Sequence, residues 1–142
     1  MKFMLIGKAT KDSEAGKMPC EESFAAMGRF NEQLLQAGVL LEVTGLQPSS
    51  KGARVHFSGD GKIKVIDGPF AETKELIAGF VVIQAKSLQE AIEWAKRAPN
   101  LQTGQESHIE IRQLFELDDF AEGKAVDDAR DRRRRLEEQK KK

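Results

Sequence analysis

The chain has 142 residues, of which 39% are hydrophobic and 32% charged, as in one globular domain. Its 23 basic and 23 acidic side chains balance, which argues against nucleic acid as a partner. Proteins that bind the phosphate backbone usually carry an excess of basic residues. A single cysteine, Cys20, excludes an internal disulfide and a thiolate zinc cluster. No apolar run reaches the ~20 residues that cross a bilayer. The N-terminus lacks a secretory signal, so we expect a cytoplasmic protein without a membrane partner.

The first predicted strand spans 2–8 and is apolar on both faces, which is typical of an interior strand. A polar loop is predicted through Gly16. A helix then begins at Pro19, whose missing N–H costs nothing at the first helical position, and ends at Gly38. Its apolar residues recur at near-helical spacing and predict a stripe that faces the core. They are Phe24, Met27, Phe30, Leu34 and Ala37.

Three strands are predicted next, at 39–46, 53–57 and 62–66. The two short strands form a hairpin, because one shared apolar face requires Phe57 opposite Ile63. This register leaves a three-residue loop, in which Gly61 supplies the left-handed conformation. It also places His56 opposite Lys64 on the more polar face.

The most buried strand is predicted at 75–84, followed by a capping box in which Glu90 reaches back to the N-cap residue Ser87. The helix that starts there is expected to stop before Pro99. Its expected buried residues are Leu88, Ala91, Ile92 and Ala95. The last predicted strand, 107–115, alternates apolar and polar residues.

This order of elements predicts an α+β fold, a ferredoxin-like split βαβ sandwich with an inserted β-hairpin. We expect one domain over 1–120 and a charged, solvated tail over 121–142, because the tail has few large apolar residues. The run Arg132–Arg135 lies in this tail. Two helices cover only one face of a sheet that is apolar on both, so we also expect a homodimer.

The densest local signal is Asp67-Gly68-Pro69-Phe70-Ala71-Glu72-Thr73-Lys74-Glu75, between the hairpin and the central strand. Such a turn frees backbone N–H groups and brings ionisable side chains together. In one interpretation, Asp67 caps the turn and Phe70 packs beneath it. In the other, Asp67 is the carboxylate of a ligand-binding cleft. The pattern leaves both open.

Only two histidines, His56 and His108, are available as proton carriers near neutral pH. Each is a candidate catalytic partner for Asp67, and each is also explained as an exposed strand residue. In an enzyme, Lys74 or Arg112 would hold a substrate carboxylate.

The remaining signals predict no bound cofactor or metal. No metal-ligand spacing such as His-x-x-x-His and no glycine-rich nucleotide loop occurs in the sequence. Cys20 sits near a helix start, which favours the thiolate, but Glu21 and Glu22 oppose that effect, so we assign no reactive thiol.

The nine-residue run 67–75 resembles the signature of the DGPF-type proteins of the YCII-related family. The resemblance covers roughly residues 1–113 and includes further segments in order. They are Met1–Leu5, Ala37–Leu40, Gly45–Pro48, Glu90–Ala95 and Ile109–Arg112. It implies a ferredoxin-like α+β domain that dimerises in an α+β barrel-like association, with a cleft between sheet and helices.

Members of the family that this chain resembles fall into three groups by what is known of their function. Most members have no assigned reaction, some are associated with sigma factors, and others carry a His–Asp pair whose histidine lies on the first helix. Residues 19–37 of this chain contain no histidine, and Met27 stands about where that side chain would be. The family's pair is therefore not carried over intact.

Three functions follow as hypotheses. The first is a dimeric small-molecule-binding or accessory domain, with a ligand site formed by Asp67, Gly68, Pro69, Phe70, Lys74, Glu75 and Arg112. The second is an enzyme of the lyase or hydrolase type that uses Asp67 and a histidine as acid and base. The third is a regulatory protein that acts through its basic tail or through a sigma-factor partner.

Overall fold

The computed structural model describes residues 1–101 and 106–142. Its strands are β1 (Lys2–Lys8), β2 (Leu40–Gly45), β3 (Ala53–Phe57), β4 (Ile63–Asp67), β5 (Ile77–Gln84) and β6 (Ile109–Gln113). Its α-helices are α1 (Lys11–Glu14), α2 (Glu21–Gln36), α3 (Leu88–Ala95) and α4 (Lys124–Lys140). Short 3-10 turns span Ser49–Lys51, Thr73–Glu75 and Leu117–Asp119.

Four strands form one antiparallel sheet in the order β2-β5-β1-β6, and β3 and β4 form a separate two-stranded ribbon. The units β1-α2-β2 and β5-α3-β6 therefore interlock, because each places a strand between the two strands of the other. This is the split βαβ plan with an inserted hairpin. The predicted α+β ferredoxin-like class is confirmed.

The core lies on one face of this sheet. Phe3 and Leu5 of β1 and Ile83 of β5 pack with Phe30 and Leu34 of α2. Phe3, Leu34 and Ile83 are almost fully buried, and burying each such side chain stabilises the fold by about 1.5–3 kcal/mol. Burial on this scale fixes the helices on this face.

The opposite face of the sheet is also apolar but is less well covered. Met4 and Ile6 of β1 and Phe80 of β5 are half-buried and lie outside the core cluster. Val82 is buried beside them, and it too lies outside that cluster. The sheet therefore presents a second apolar face that its core does not use.

Helix α2 begins later than the sequence predicts. Cys20 is its N-cap, with an extended ψ of 164°, so Pro19 precedes the helix rather than occupying its first position. The prediction that Phe24 joins the core stripe is also wrong, since its side chain is 68% exposed. At about 100° per residue, Phe24 points about 120° away from Phe30, which places it outside the buried stripe.

Helix α3, the second of the two predicted helices, differs from its prediction in two details. Ser87 caps α3 as expected, accepting a hydrogen bond from the Glu90 N–H. Glu90 reaches the Lys86 N–H instead of the Ser87 N–H, at 2.7 Å. Leu88 is exposed rather than buried. Helical side chains lean towards the N-terminus, so the first residue of α3 projects past the packed turns.

The predicted hairpin register is confirmed. Phe57 pairs with Ile63 and His56 pairs with Lys64. The Ser58 N–H donates to the Lys62 carbonyl oxygen at 2.9 Å and closes the three-residue loop, in which Gly61 has a φ of 85°.

Several boundaries depart from the predicted ones. The expected polar loop before Gly16 contains the short helix α1. β4 runs one residue further than expected and ends on Asp67, while β5 starts two residues later because a 3-10 turn precedes it. β6 is shorter than expected, so His108 lies just before it. Residues 124–140 form α4, which has no buried residue.

Among the described residues, no helix combines the length and the apolar character that a membrane crossing needs.

Candidate ligand-binding site at the 67–75 turn

A single serine holds the 67–75 turn in place. The Ser49 hydroxyl accepts a hydrogen bond from the Phe70 N–H at 3.1 Å and donates to the Glu14 carboxylate. The Ser49 N–H donates to the other oxygen of that carboxylate at 2.9 Å. Three segments that are distant in sequence therefore meet at Ser49, namely α1, the 49–51 turn and the 67–75 turn.

The turn also approaches this neighbour so closely that only glycine fits. The Gly68 N–H donates to the Gly52 carbonyl oxygen at 3.0 Å. A Cβ atom on Gly68 would lie 2.6 Å from the Ser49 carbonyl carbon, and closer still to its oxygen. Normal carbon–carbon contacts are about 3.5–4.0 Å. The packing of the two turns thus requires glycine at 68. The peptide that follows it, Gly68–Pro69, is cis.

Phe70 supports a cation. The guanidinium carbon of Arg54 lies 3.8 Å from the centre of the Phe70 ring, which is cation–π geometry. Phe70 is half-buried, whereas Arg54 is exposed. The Ser49 hydrogen bond therefore fixes the aromatic residue on which Arg54 rests.

Four charged side chains of the turn are exposed, and within the described residues they have neither a hydrogen bond nor an ion pair. These residues are Asp67, Glu72, Lys74 and Glu75. In the interpretation of Asp67 as a turn cap, its carboxylate would accept a backbone N–H from the turn. No such bond forms in this part of the chain, and Ser49 is the side chain that holds the turn.

The ribbon register separates Asp67 from His56. Asp67 pairs with Ala53, and His56 pairs with Lys64 three positions further along the ladder. Because neighbouring strand residues alternate between faces, Asp67 and His56 project from opposite faces of the ribbon. The structure does not bring this candidate pair together.

The other two predicted site residues lie on β6 or beside it, at the far edge of the sheet from β2. His108 is exposed and lies 3.3 Å from Glu106. Arg112 pairs with Met4 of β1, and Met4 pairs with Val82 of β5. Arg112 is therefore level with Val82, five residues beyond Ile77, where β5 begins after the turn. Its guanidinium is 3.5 Å from the Glu110 carboxylate. The 67–75 turn and Arg112 are thus at different ends of the sheet.

A family model described as the YCII-related domain matches residues 1–118. The chain belongs to the YCII-related family. An uncharacterised protein of Rhizobium meliloti (strain 1021) is 40% identical to it over 88 residues, which is 62% of this chain and 69% of that protein.

One solved structure to which this chain is similar is 5-chloro-2-hydroxyhydroquinone dehydrochlorinase from Burkholderia phenoliruptrix, in complex with 2,5-dihydroxybenzoquinone. It is 15% identical to this chain, with a TM-score of 0.43, over 88% of this chain and 98% of that one. At that level of similarity the comparison bears on neither the substrate nor the reaction of this YCII-related protein.

Two titration shifts accompany these contacts. The hydrogen bonds from Ser49 lower the pKa of the Glu14 carboxyl, which favours the charged form that Ser49 contacts. A hydrogen bond with Ser23 lowers the pKa of the exposed Cys20 thiol at the start of α2. The first shift arises from the clamp on the turn, namely the hydrogen bonds that join Glu14, Ser49 and Phe70, while the second lies at another element.

Among residues 1–101 and 106–142, no group of three or more His, Cys, Asp or Glu side chains is arranged to hold a metal ion. A shallow groove of about 330 Å³ lies between α3 and β6, lined in part by Ile92, Ala95 and Ile111. It is separate from the 67–75 turn, which reaches the sheet through β5.

Sequence reasoning missed three residues of this YCII-related site, namely Glu14, Ser49 and Arg54. The Glu14–Ser49 contact joins residues 35 positions apart, and the Ser49–Phe70 contact joins residues 21 apart. Neither spacing belongs to a local motif. The one usable signal was alternation in β3, which places Arg54 on the same face as His56.

Proposed function

We propose that this YCII-related protein is a homodimeric small-molecule-binding domain that takes its ligand at the 67–75 turn. The observation that carries the proposal is the contrast between a fixed backbone and free charges. Ser49 and Gly52 hold the backbone of the turn, while Asp67, Lys74 and Glu75 are exposed and have no partner in the described chain. Polar groups on a rigid support bind a ligand with little loss of conformational entropy.

Uncovered apolar surface supports the dimer. One face of the β3–β4 ribbon carries Val55, Phe57, Ile63 and Val65, each more than half exposed. Together they expose roughly 400 Å² of apolar surface, about the size of the largest patch on a typical monomer, and such a patch often marks an interaction site. Two copies that bury this ribbon face and the half-buried sheet face around Phe80 would approach the roughly 1,200 Å² of a stable interface.

Binding accounts for the arrangement better than acid–base catalysis does. A general base must come within hydrogen-bond reach of its partner, directly or through one water. His56 projects from the face of the ribbon opposite to Asp67, and His108 lies at the other sheet edge. A binding site needs neither histidine.

The test is a thermal-shift screen of small metabolites on the wild type and two variants. Asp67→Asn removes the unpartnered carboxylate at the turn, and Asp128→Asn is a matched control on α4. A ligand present at ~100 times its Kd stabilises the native state by about 2.7 kcal/mol. We expect at least one compound to raise the Tm of the wild type and of Asp128→Asn but not that of Asp67→Asn. Hits that stabilise all three proteins equally would overturn the proposed site.

A further inference from the structure

The two faces of the β3–β4 ribbon differ in charge. Alternation places Val55, Phe57, Ile63 and Val65 on one face, and it places Arg54, His56 and Lys64 on the other. No Asp or Glu of either strand lies on the second face, because Asp67, the one acidic residue in these strands, shares a face with its partner Ala53. The first face is apolar apart from Asp67 at its end, and the second is basic apart from Ile66, which pairs with Arg54.

Arg54 is the residue of the basic face whose side chain is held by a contact with the 67–75 turn. Its guanidinium stacks on Phe70 at 3.8 Å, and the Phe70 backbone is in turn held by Ser49. Within the described residues Arg54 has no ion pair and no hydrogen bond. A guanidinium stacked on a ring uses its flat face and leaves the N–H groups at its edge available. That edge matches the two oxygens of a carboxylate or phosphate.

His56 and Lys64 are the neighbours of Arg54 on the basic face. His56 is two residues from Arg54 on β3, which is about 7 Å along the strand. Lys64 lies directly opposite His56 and diagonally across from Arg54. No carboxylate forms an ion pair with either side chain in the described parts of the chain. The Lys64 ammonium and the N–H of the His56 ring are therefore available to a bound anion.

Three other arginines, Arg97, Arg130 and Arg134, differ from Arg54 in having carboxylates close by. Arg97 stacks on Trp94 at 4.4 Å, but Glu93 is near enough that the two charges interact. Arg130 and Arg134 each pair with two carboxylates. Arg54 combines an aromatic support, two basic neighbours and a face without acidic residues.

We propose that Arg54, His56 and Lys64 form a binding site for the oxyanion group of a small molecule, a carboxylate or a phosphate, with Arg54 as the residue that recognises it. This inference goes beyond the proposed function, because the basic face lies on the opposite side of the ribbon from Asp67 and contacts the 67–75 turn through Phe70. In this arrangement the stacked guanidinium makes the paired hydrogen bonds, while Lys64 supplies positive charge and His56 supplies a ring N–H donor.

The test is a titration of ¹⁵N-labelled full-length protein with inorganic phosphate and, separately, with malonate, against sodium chloride at equal ionic strength. The Arg54 side-chain Nε–H and the backbone amides of β3 and β4 are followed by NMR. We expect saturable shifts with phosphate, malonate or both, and none with chloride. Phosphate alone would identify a phosphate-bearing ligand, malonate alone would identify a carboxylate, and either supports the oxyanion site.

Variants make the result specific. Arg54→Met should weaken binding roughly tenfold or more, the loss expected for a charge-assisted pair of hydrogen bonds. Lys64→Met should weaken it less, and the matched control Arg97→Met should leave it unchanged. Thermal unfolding of each variant verifies that it is folded, and Arg54→Lys, which keeps the charge but not the fork, should bind at an intermediate level.

Absence of saturable shifts in the wild type, or equal binding by Arg54→Met, would overturn the inference. The proposed function fails by a different result. If a metabolite still stabilises the wild type in an Asp67-dependent way while phosphate and malonate do not bind, the turn binds a ligand but this anion site is wrong. If no metabolite depends on Asp67, the site proposed at the turn is wrong.

Discussion

Replacing Gly68 by alanine tests whether the packing of the two turns holds the site. The new Cβ atom would lie 2.6 Å from the Ser49 carbonyl carbon, about 1 Å inside normal contact. The turns must therefore separate. Overpacking of this kind costs about 1–3 kcal/mol. Separation also weakens the hydrogen bonds from the Gly68 and Phe70 N–H groups, each worth about 1 kcal/mol.

The expected loss for Gly68→Ala is thus about 2–4 kcal/mol in the free energy of unfolding, or a Tm lower by about 5–15 °C for a chain of this length. Urea unfolding should show a lower midpoint at an unchanged slope. Gly59→Ala in the hairpin loop is the matched control, because a Cβ atom there meets nothing within 4 Å. A Tm for Gly68→Ala within about 2 °C of that control would refute the close-packing account.

Three further predictions concern the clamp, the ribbon and the tail. Ser49 hydrogen bonds lower the pKa of Glu14 in the folded protein, so their stabilisation is present above the ordinary pKa and is lost as pH falls through the lowered one. The Tm of Glu14→Gln should therefore fall less than the Tm of the wild type as the pH is lowered below 4.5. Parallel Tm curves for the two proteins across that range would contradict this. Phe57→Lys should shift the protein from dimer to monomer in light scattering, whereas Lys62→Met at the ribbon tip should not, and a Phe57→Lys dimer would contradict the ribbon interface. Deleting 121–142 should change the Tm by no more than a few degrees, because α4 buries no residue; a large drop in calorimetry would mean that α4 supports the domain.

The parts of the fold that repeat locally were predictable from the sequence. Alternating apolar residues set the register of Phe57 against Ile63, and Ser87 marked the start of α3. The order of elements alone indicated the ferredoxin-like plan, because short connections and antiparallel pairing leave few alternatives. These features depend on neighbours within a few residues.

The rest of the site depends on contacts between distant segments. No local pattern joins Glu14 to Ser49, or Ser49 to Phe70, so the clamp became visible only in three dimensions. The exposure of Phe24 was missed because its spacing along the chain is only approximately helical. Its direction around the axis of α2, which decides whether it faces the core, was not considered. The nine-residue run located the turn, and the predicted register fixed the face of His56. The face of Asp67 followed only when the structure showed that β4 includes this residue.

The most direct test of the central claim is an amide NMR titration with the best-stabilising compound from the thermal screen. The account predicts that the largest shifts fall on residues 67–75 and on the Ser49 amide, and that Asp67→Asn abolishes them. Shifts that instead cluster at Ile92, Ala95 and Ile111, around the groove between α3 and β6, would contradict it.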